Sequence, residues 1–186
     1  LRGELNNPID EDAAMTPVMS FINEIGDEVA SGGGSDYTYD RVVDDSQSIV
    51  IEVPSEWAER RTGTYAITGL PAIEASANLD AFDDGWSEPG LVYAQVETRD
   101  DLEVLLNDLG FGSDCADDGR HEYSDGLFTG YYDRYSNCGG SGNQIVALAA
   151  NPTDESFTAV LIVQMMYDRD VLALDQAFAT FNYFTG

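Results

Sequence analysis

The chain has 186 residues, of which 43% are hydrophobic and 11% aromatic, and its 35 acidic residues against 8 basic ones give a formal net charge of -27. The aromatic content excludes a disordered acidic tail, because such tails lack the apolar surface that offsets the entropy cost of ordering the chain. With no lysine and scattered arginines, the chain is not expected to bind nucleic acid or an anionic membrane, and no apolar run is long enough to span a membrane. The acid excess suits solubility, weak cation binding or a salt-loving host, and composition does not separate these.

The N-terminal stretch, residues 1–35, is expected to form a helix and a linker. Thr16 followed by Pro17 is typical of a helix start, and apolar residues recur at helical spacing across residues 16–30. The glycine-rich tract 31–35 predicts a flexible linker. The helix either packs on the following domain or on a second copy, or it is the end of an upstream domain. Since the chain does not begin with Met and lacks a basic-then-apolar start, we expect a fragment or mature chain that has lost any targeting segment.

From residue 36 onward, short strands separated by turn residues dominate the pattern. Asp44-Asp45-Ser46 and Asp125-Gly126 are typical of tight hairpin turns. Near-continuous apolar character in the last two strands indicates that both faces of the sheet are covered. The predicted strands span residues 37–43, 47–53, 71–77, 91–97, 119–124, 127–135, 145–150 and 157–166.

Three helices are expected to cover this sheet. The first spans residues 78–86 and opens on a capping Asn. The second begins at Asp100, with Glu103 at the capping-box position and Gly110 at its end, and Asp168 caps the third. The prediction is an α+β domain over residues 36–186. Its antiparallel sheet of about six to seven strands has helices on both faces, as in an α/β/α sandwich.

The two cysteines, Cys115 and Cys138, lie almost symmetrically about the Asp125-Gly126 turn. If that hairpin forms, its strands bring them close together. We therefore expect a disulfide, with a pair of buried free thiols or a metal site as the alternatives. A disulfide indicates an oxidising compartment, so the chain is expected to be extracytoplasmic, either secreted or at the cell surface.

Few residues are suited to catalysis, and no nucleophile motif accompanies the single histidine, His121, which alternation places at the surface. Adjacent acidic pairs such as Asp44-Asp45 are interpreted as solvent-facing turn residues. Asp114, Asp117 and Asp118 are interpreted as a solvated acidic turn, because their spacing is not that of an EF-hand loop. Calcium binding there is the alternative. We expect no catalytic residue, no metal and no cofactor.

Aromatic residues mark both faces of the strand predicted over residues 127–135. Alternation places Tyr131 and Tyr135 on one face and Phe128 and Tyr132 on the other. Either both faces are buried in cores, or one face offers a tyrosine-bearing contact surface for a partner, since tyrosine gives a large contact area at low entropy cost.

A motif at Val53-Pro54-Ser55-Glu56-Trp57, followed by the strand Ile73-Glu74-Ala75-Ser76-Ala77, resembles the start of the PsbP-like fold. Photosystem extrinsic proteins, the Ran-binding Mog protein and LpqN-type actinobacterial lipoproteins share that fold, in which an antiparallel sheet lies between helices. In such a motif Pro54 ends the second strand and Trp57 caps the edge of the core.

The similarity extends further along the chain, and residues 36–184 resemble the extracytoplasmic C-terminal module of actinobacterial-type trypsin-like serine proteases. No catalytic triad is carried over, because the protease domain is not in these residues, and fold similarity alone does not fix a function. The further matching segments are Asn78-Leu79-Asp80-Ala81-Phe82, Trp86-Ser87-Glu88-Pro89-Gly90, Cys115, Gly130-Tyr131-Tyr132-Asp133 and Asn137-Cys138-Gly139-Gly140.

The sequence thus predicts a non-catalytic extracytoplasmic module that binds a protein or peptide, as an accessory domain of a larger secreted or membrane-anchored protein such as a serine protease. The alternative is a lipoprotein-like domain that binds a small ligand or a cation. A hydrolase that works through paired carboxylates is a third hypothesis, and it requires one cleft with acids from separate elements.

Overall fold

A computed structural model describes residues 36–65 and 68–184, so the helix and linker predicted over residues 1–35 lie outside the described residues. The described chain forms an α+β domain dominated by antiparallel strands. The strands are β1 (Tyr39–Val43), β2 (Ile49–Pro54), β3 (Glu59–Arg61), β4 (Ala72–Ser76), β5 (Gly90–Val96), β6 (Ala116–Ser124), β7 (Phe128–Cys138), β8 (Asn143–Pro152), β9 (Thr158–Met165) and β10 (Asn182–Tyr183). The helices are α1 (Leu79–Asp83), α2 (Leu102–Asp108) and α3 (Asp170–Thr180), and a short 3-10 turn, Phe111–Ser113, follows α2.

The described strands form two sheets. Seven strands pair in the order β3-β4-β5-β9-β8-β7-β6, and three pair in the order β1-β2-β10. Every pairing is antiparallel. The predicted antiparallel α+β class is confirmed, but the strands do not all join one sheet, because the β1–β2 hairpin pairs with the two-residue β10 and packs over the larger sheet.

Alternate residues of β8 face two separate cores. Val146 and Leu148 belong to the larger core, which β1, β2 and β10 of the small sheet and α3 also enter. Ile145 and Ala147 belong to the smaller core, which includes Leu106 of α2. The prediction that both faces of these strands are covered is confirmed. The face toward the larger core carries a second sheet beside its helix, which the expected sandwich did not include.

Two helix starts differ from the sequence prediction. Helix α2 follows the N-cap Asp101 rather than Asp100, and no side chain caps it. Helix α3 follows Arg169 rather than Asp168. At α2, Arg99 donates to both carboxylate oxygens of Asp101 and so competes with the first backbone N–H groups of the helix for this carboxylate. In contrast, Asn78 caps α1 as predicted, and its side chain accepts a hydrogen bond from the backbone N–H of Ala81.

The β6–β7 hairpin forms in the predicted register. Arg120 lies opposite Asp133, and a bulge interrupts the pairing between Asp117 and Gly119. Cys115 and Cys138 are joined by a disulfide, with their Cα atoms 4.1 Å apart. The predicted pairing is confirmed, and it is compatible with an extracytoplasmic protein.

An ion pair joins this hairpin to helix α2. The guanidinium of Arg120 donates from Nε and Nη2 to the two carboxylate oxygens of Asp133, each at 2.7 Å, and Tyr135 adds a hydroxyl donor at 3.1 Å. Arg120 also donates to the side chain of Asn107 and to the backbone oxygen of Glu103 on α2. The Asp133 side chain is 5% exposed, and these donors satisfy its buried oxygens.

Among the described residues, no helix combines the length and the apolar character that a membrane crossing requires.

Candidate functional site

The residues of the Pro-x-x-Trp motif lie in the core. Pro54 is the last residue of β2, and its carbonyl accepts a hydrogen bond from the backbone N–H of Trp57. The Trp57 ring is 1% exposed and meets Tyr37 edge to face. Trp86 borders the smaller core, where it contacts Phe111. These residues therefore hold the fold together rather than present a binding surface.

The aromatic residues of β7 divide between the two cores as alternation predicts. Phe128 and Tyr132 belong to the larger core, and Tyr135 and the partly exposed Tyr131 border the smaller one. The exposures of Phe128, Tyr132 and Tyr135 are 0%, 7% and 7%. This placement corresponds to burial in two cores, so these four residues do not form one accessible surface.

His121 and the acidic turn before it lie at the surface. The His121 ring stacks on Tyr132 with a centroid distance of 5.0 Å. Asp114, Asp117 and Asp118 are exposed, and Asp117 accepts the backbone N–H of Gly119 within the bulge. In the described parts of the chain, no three side chains of His, Cys, Asp or Glu come together as metal ligands.

An open groove of about 670 Å³ lies where the segment after β5 meets the turn before β4. We call it the β5–α2 groove. Leu70, Val96 and Leu105 supply its apolar part, and Glu97, Thr98, Arg99, Asp100, Asp101 and Thr68 supply its polar part.

Polar side chains of the β8–β9 hairpin fix the backbone of this groove. Thr158 is fully buried, and its hydroxyl accepts the backbone N–H of Arg99 at 2.9 Å. Asn151 donates to the backbone carbonyl of Arg99 at 2.8 Å and accepts the Thr158 hydroxyl at 2.6 Å. Thr98 adds a hydrogen bond to the backbone oxygen of Glu155. These hydrogen bonds restrain the loop backbone, and such preorganisation lowers the entropy cost of binding.

The charges of the β5–α2 groove are mostly negative. Arg99 binds Asp101 through two hydrogen bonds of 2.8 and 3.0 Å, and this pair lowers the pKa of Asp101. The side chains of Glu97 and Asp100 have no hydrogen-bonded or ion-paired partner within the described ranges. The groove thus offers two unpaired carboxylates together with three apolar side chains.

A carboxylate with a raised pKa lies on α3, away from this groove. The Oδ1 atom of Asp175 is buried and lacks a hydrogen-bond partner among the described residues, and burial raises its pKa to about 7. Its charge is also one cause, after burial, of the raised pKa of Tyr39, so the two side chains are neighbours.

Sequence reasoning missed both features. The groove brings together residues 68–70 and 96–101, which carry no binding motif, and only the pairing of β4 with β5 places them side by side. Asp175 did leave a signal, because it stands four residues after Val171 and three before Phe178 on the apolar stripe of the last helix.

Protein-family models and curated protein sequences were compared with the chain, and none of them matches it. The resemblance to the PsbP-like fold and to protease-associated modules therefore stays a prediction.

Proposed function

We propose that this domain is a non-catalytic extracytoplasmic module that binds a protein or peptide segment in the β5–α2 groove. It would serve as an accessory domain of a larger secreted or membrane-anchored protein, such as a serine protease. The observation that carries the proposal is the groove itself, an open depression lined by apolar and charged side chains, whose backbone is anchored by the buried Thr158.

Two properties of the groove suit a peptide. It is open to solvent, so a chain could enter and leave at its ends, and it mixes apolar side chains with charged ones, as recognition surfaces do. Its anchored loop sits on a rigid sheet, which is where binding residues are commonly found.

The Cys115–Cys138 disulfide supports the proposed secreted or cell-surface location, because such bonds persist in oxidising compartments. The proposed PsbP-like α/β/α arrangement is supported by the contacts of α3 with β9 and of α2 with β7 and β8, strands of the seven-stranded sheet.

The test is selection of peptides from a random displayed library on the full chain, followed by NMR mapping of the peptides that bind. Shifts should concentrate in residues 68–70 and 96–101. Thr68→Trp, which places a large ring at the groove, should weaken binding by about tenfold or more. Thr129→Trp, at an exposed position of β7, is the matched control and should change affinity by less than about twofold. Shifts confined to another surface, with Thr68→Trp inert, would contradict the proposed site.

The groove volume also falls within the range of small-ligand sites, which favours a small-ligand or cation-binding lipoprotein-like domain as the second candidate. A cation-binding domain should show a higher melting temperature with calcium. A carboxylate hydrolase is less well supported, because the groove acids Glu97, Asp100 and Asp101 all come from one segment.

A further inference from the structure

The β5–α2 groove has a specific combination of apolar and acidic surface. Leu70, Val96 and Leu105 line the same groove as Glu97 and Asp100. A lysine or arginine side chain has the complementary form, since its methylene stem covers apolar surface while its cation stays at the polar edge. Shape and charge therefore favour the same kind of occupant.

The lining of the groove favours an organic cation over a metal ion. Metal ions need several ligands around one point, and no such group of three exists in the described portion of the chain. The groove already holds one guanidinium, because Arg99 forms a forked pair with Asp101. Glu97 and Asp100 are left for a cation supplied from outside.

The net charge of the whole chain also favours a cationic ligand. A net charge of -27 raises the local concentration of cationic ligands and speeds their encounter. This long-range attraction does not choose a site, and the choice depends on the short-range contacts of the groove.

We propose that the β5–α2 groove binds a basic peptide, with a lysine or arginine stem on Leu70, Val96 and Leu105 and its cation at Glu97 and Asp100. This inference rests on the proposed peptide-binding function and adds the chemistry of the partner.

The test uses two labelled peptides in fluorescence anisotropy at physiological salt. One alternates leucine with arginine, and the other replaces every arginine with citrulline, which is neutral and nearly the same shape. The variant E97Q/D100N removes two charges from the groove. The control D118N/E122Q removes two charges from exposed positions of β6. Thermal melts establish that both variants fold.

The arginine peptide should bind the unmodified chain at least about tenfold more tightly than the citrulline peptide. E97Q/D100N should lose about tenfold in affinity for the arginine peptide, whereas D118N/E122Q should lose less than about twofold. Equal losses in the two variants would overturn the inference, because binding would then follow the overall charge.

The remaining outcomes separate the two proposals. If the citrulline peptide binds in the groove as tightly as the arginine peptide, the basic preference is overturned and the peptide-binding function stands. If neither these peptides nor library-selected ones bind in the groove, the proposed function itself is overturned.

Discussion

The buried carboxyl of Asp175 should make the stability of the domain depend on pH. Helix α3 packs on β2, where Glu52 is acidic and accepts a hydrogen bond from Gln176, and on β9, which contributes no titratable side chain. Arg169, the cation at the start of the helix, is paired with Glu56, and burial alone is the cause of the raised pKa of Asp175. Ionisation of Asp175 therefore places a charge in a buried position with no cation to offset it.

The direction of the effect follows from the two states of the chain. An unfolded chain loses this proton near pH 3.8, whereas the folded domain keeps it until about pH 7. Between these values the folded state binds more protons, so the free energy of unfolding falls as pH rises, and the loss is complete above pH 7. At about 1.4 kcal/mol per pKa unit the whole effect would be roughly 4 kcal/mol. Part of the side chain reaches solvent, so we expect about 2 kcal/mol.

The assay is urea and thermal unfolding of the unmodified chain and of Asp175→Asn at pH 5 and pH 7.5. At pH 7.5 the variant should be more stable by about 2 kcal/mol, or about 4 to 8 °C in Tm. At pH 5, only about one unit above the unfolded pKa, the difference should fall to less than half of that, about 0.8 kcal/mol. Asp118→Asn, at an exposed position, removes one charge without this effect and corrects for the general repulsion of an acidic chain. A difference between the unmodified chain and Asp175→Asn that is the same at both pH values would refute the reasoning.

Three further predictions concern stability. Replacing both Cys115 and Cys138 with serine should lower the free energy of unfolding by about 3 kcal/mol, because the bond spans 23 residues; an unchanged urea midpoint would contradict this. Arg120→Ala should cost about 2 to 4 kcal/mol in urea unfolding, since it strands a buried carboxylate, and a loss below about 0.5 kcal/mol would show that water replaces the pair. Gly130→Ala should lower the free energy of unfolding by about 1 to 3 kcal/mol, because a Cβ there lies 2.1 Å from a backbone oxygen of β8. Gly112→Ala is the control, since its Cβ meets open space and the loss should be smaller. Equal Tm values for the two variants would count against this contact.

Features set by local pattern could be predicted from the sequence. The β6–β7 hairpin follows from the Asp125-Gly126 turn, where Gly126 has a φ of 86° and Asp125 accepts the backbone N–H groups of Leu127 and Phe128. That local geometry also fixed which residues lie opposite each other, and with them the Cys115–Cys138 pair. The alternation of Phe128 and Tyr132 against Tyr131 and Tyr135 follows from the strand period alone.

Features set by distant partners could not be predicted. Strands β3 and β10 have three and two residues, which is too short for an alternating pattern, and both exist because a longer strand pairs with them. The start of α3 was displaced for a similar reason. The carboxylate of Asp170 accepts a hydrogen bond of 2.5 Å from the hydroxyl of Tyr37, which lies 133 residues earlier in the chain. It also accepts the backbone N–H groups of Met166 and Tyr167.

The same limit explains why the acidic residues could not be assigned from their positions in the sequence. Asp44 and Asp45 are neighbours in one turn, and the sequence predicts that both face solvent. Asp45 is exposed, but Asp44 is buried. Its carboxylate accepts the backbone N–H groups of Ser46, Ser48 and Ile49. Asp133 and Asp170 are likewise buried and receive three donors each. Such donors offset the cost of burying a charge, so these three carboxylates stabilise junctions of the fold. Asp175 is the contrasting case. Its buried oxygen has no donor among the described residues and its pKa is raised, so its ionisation opposes folding.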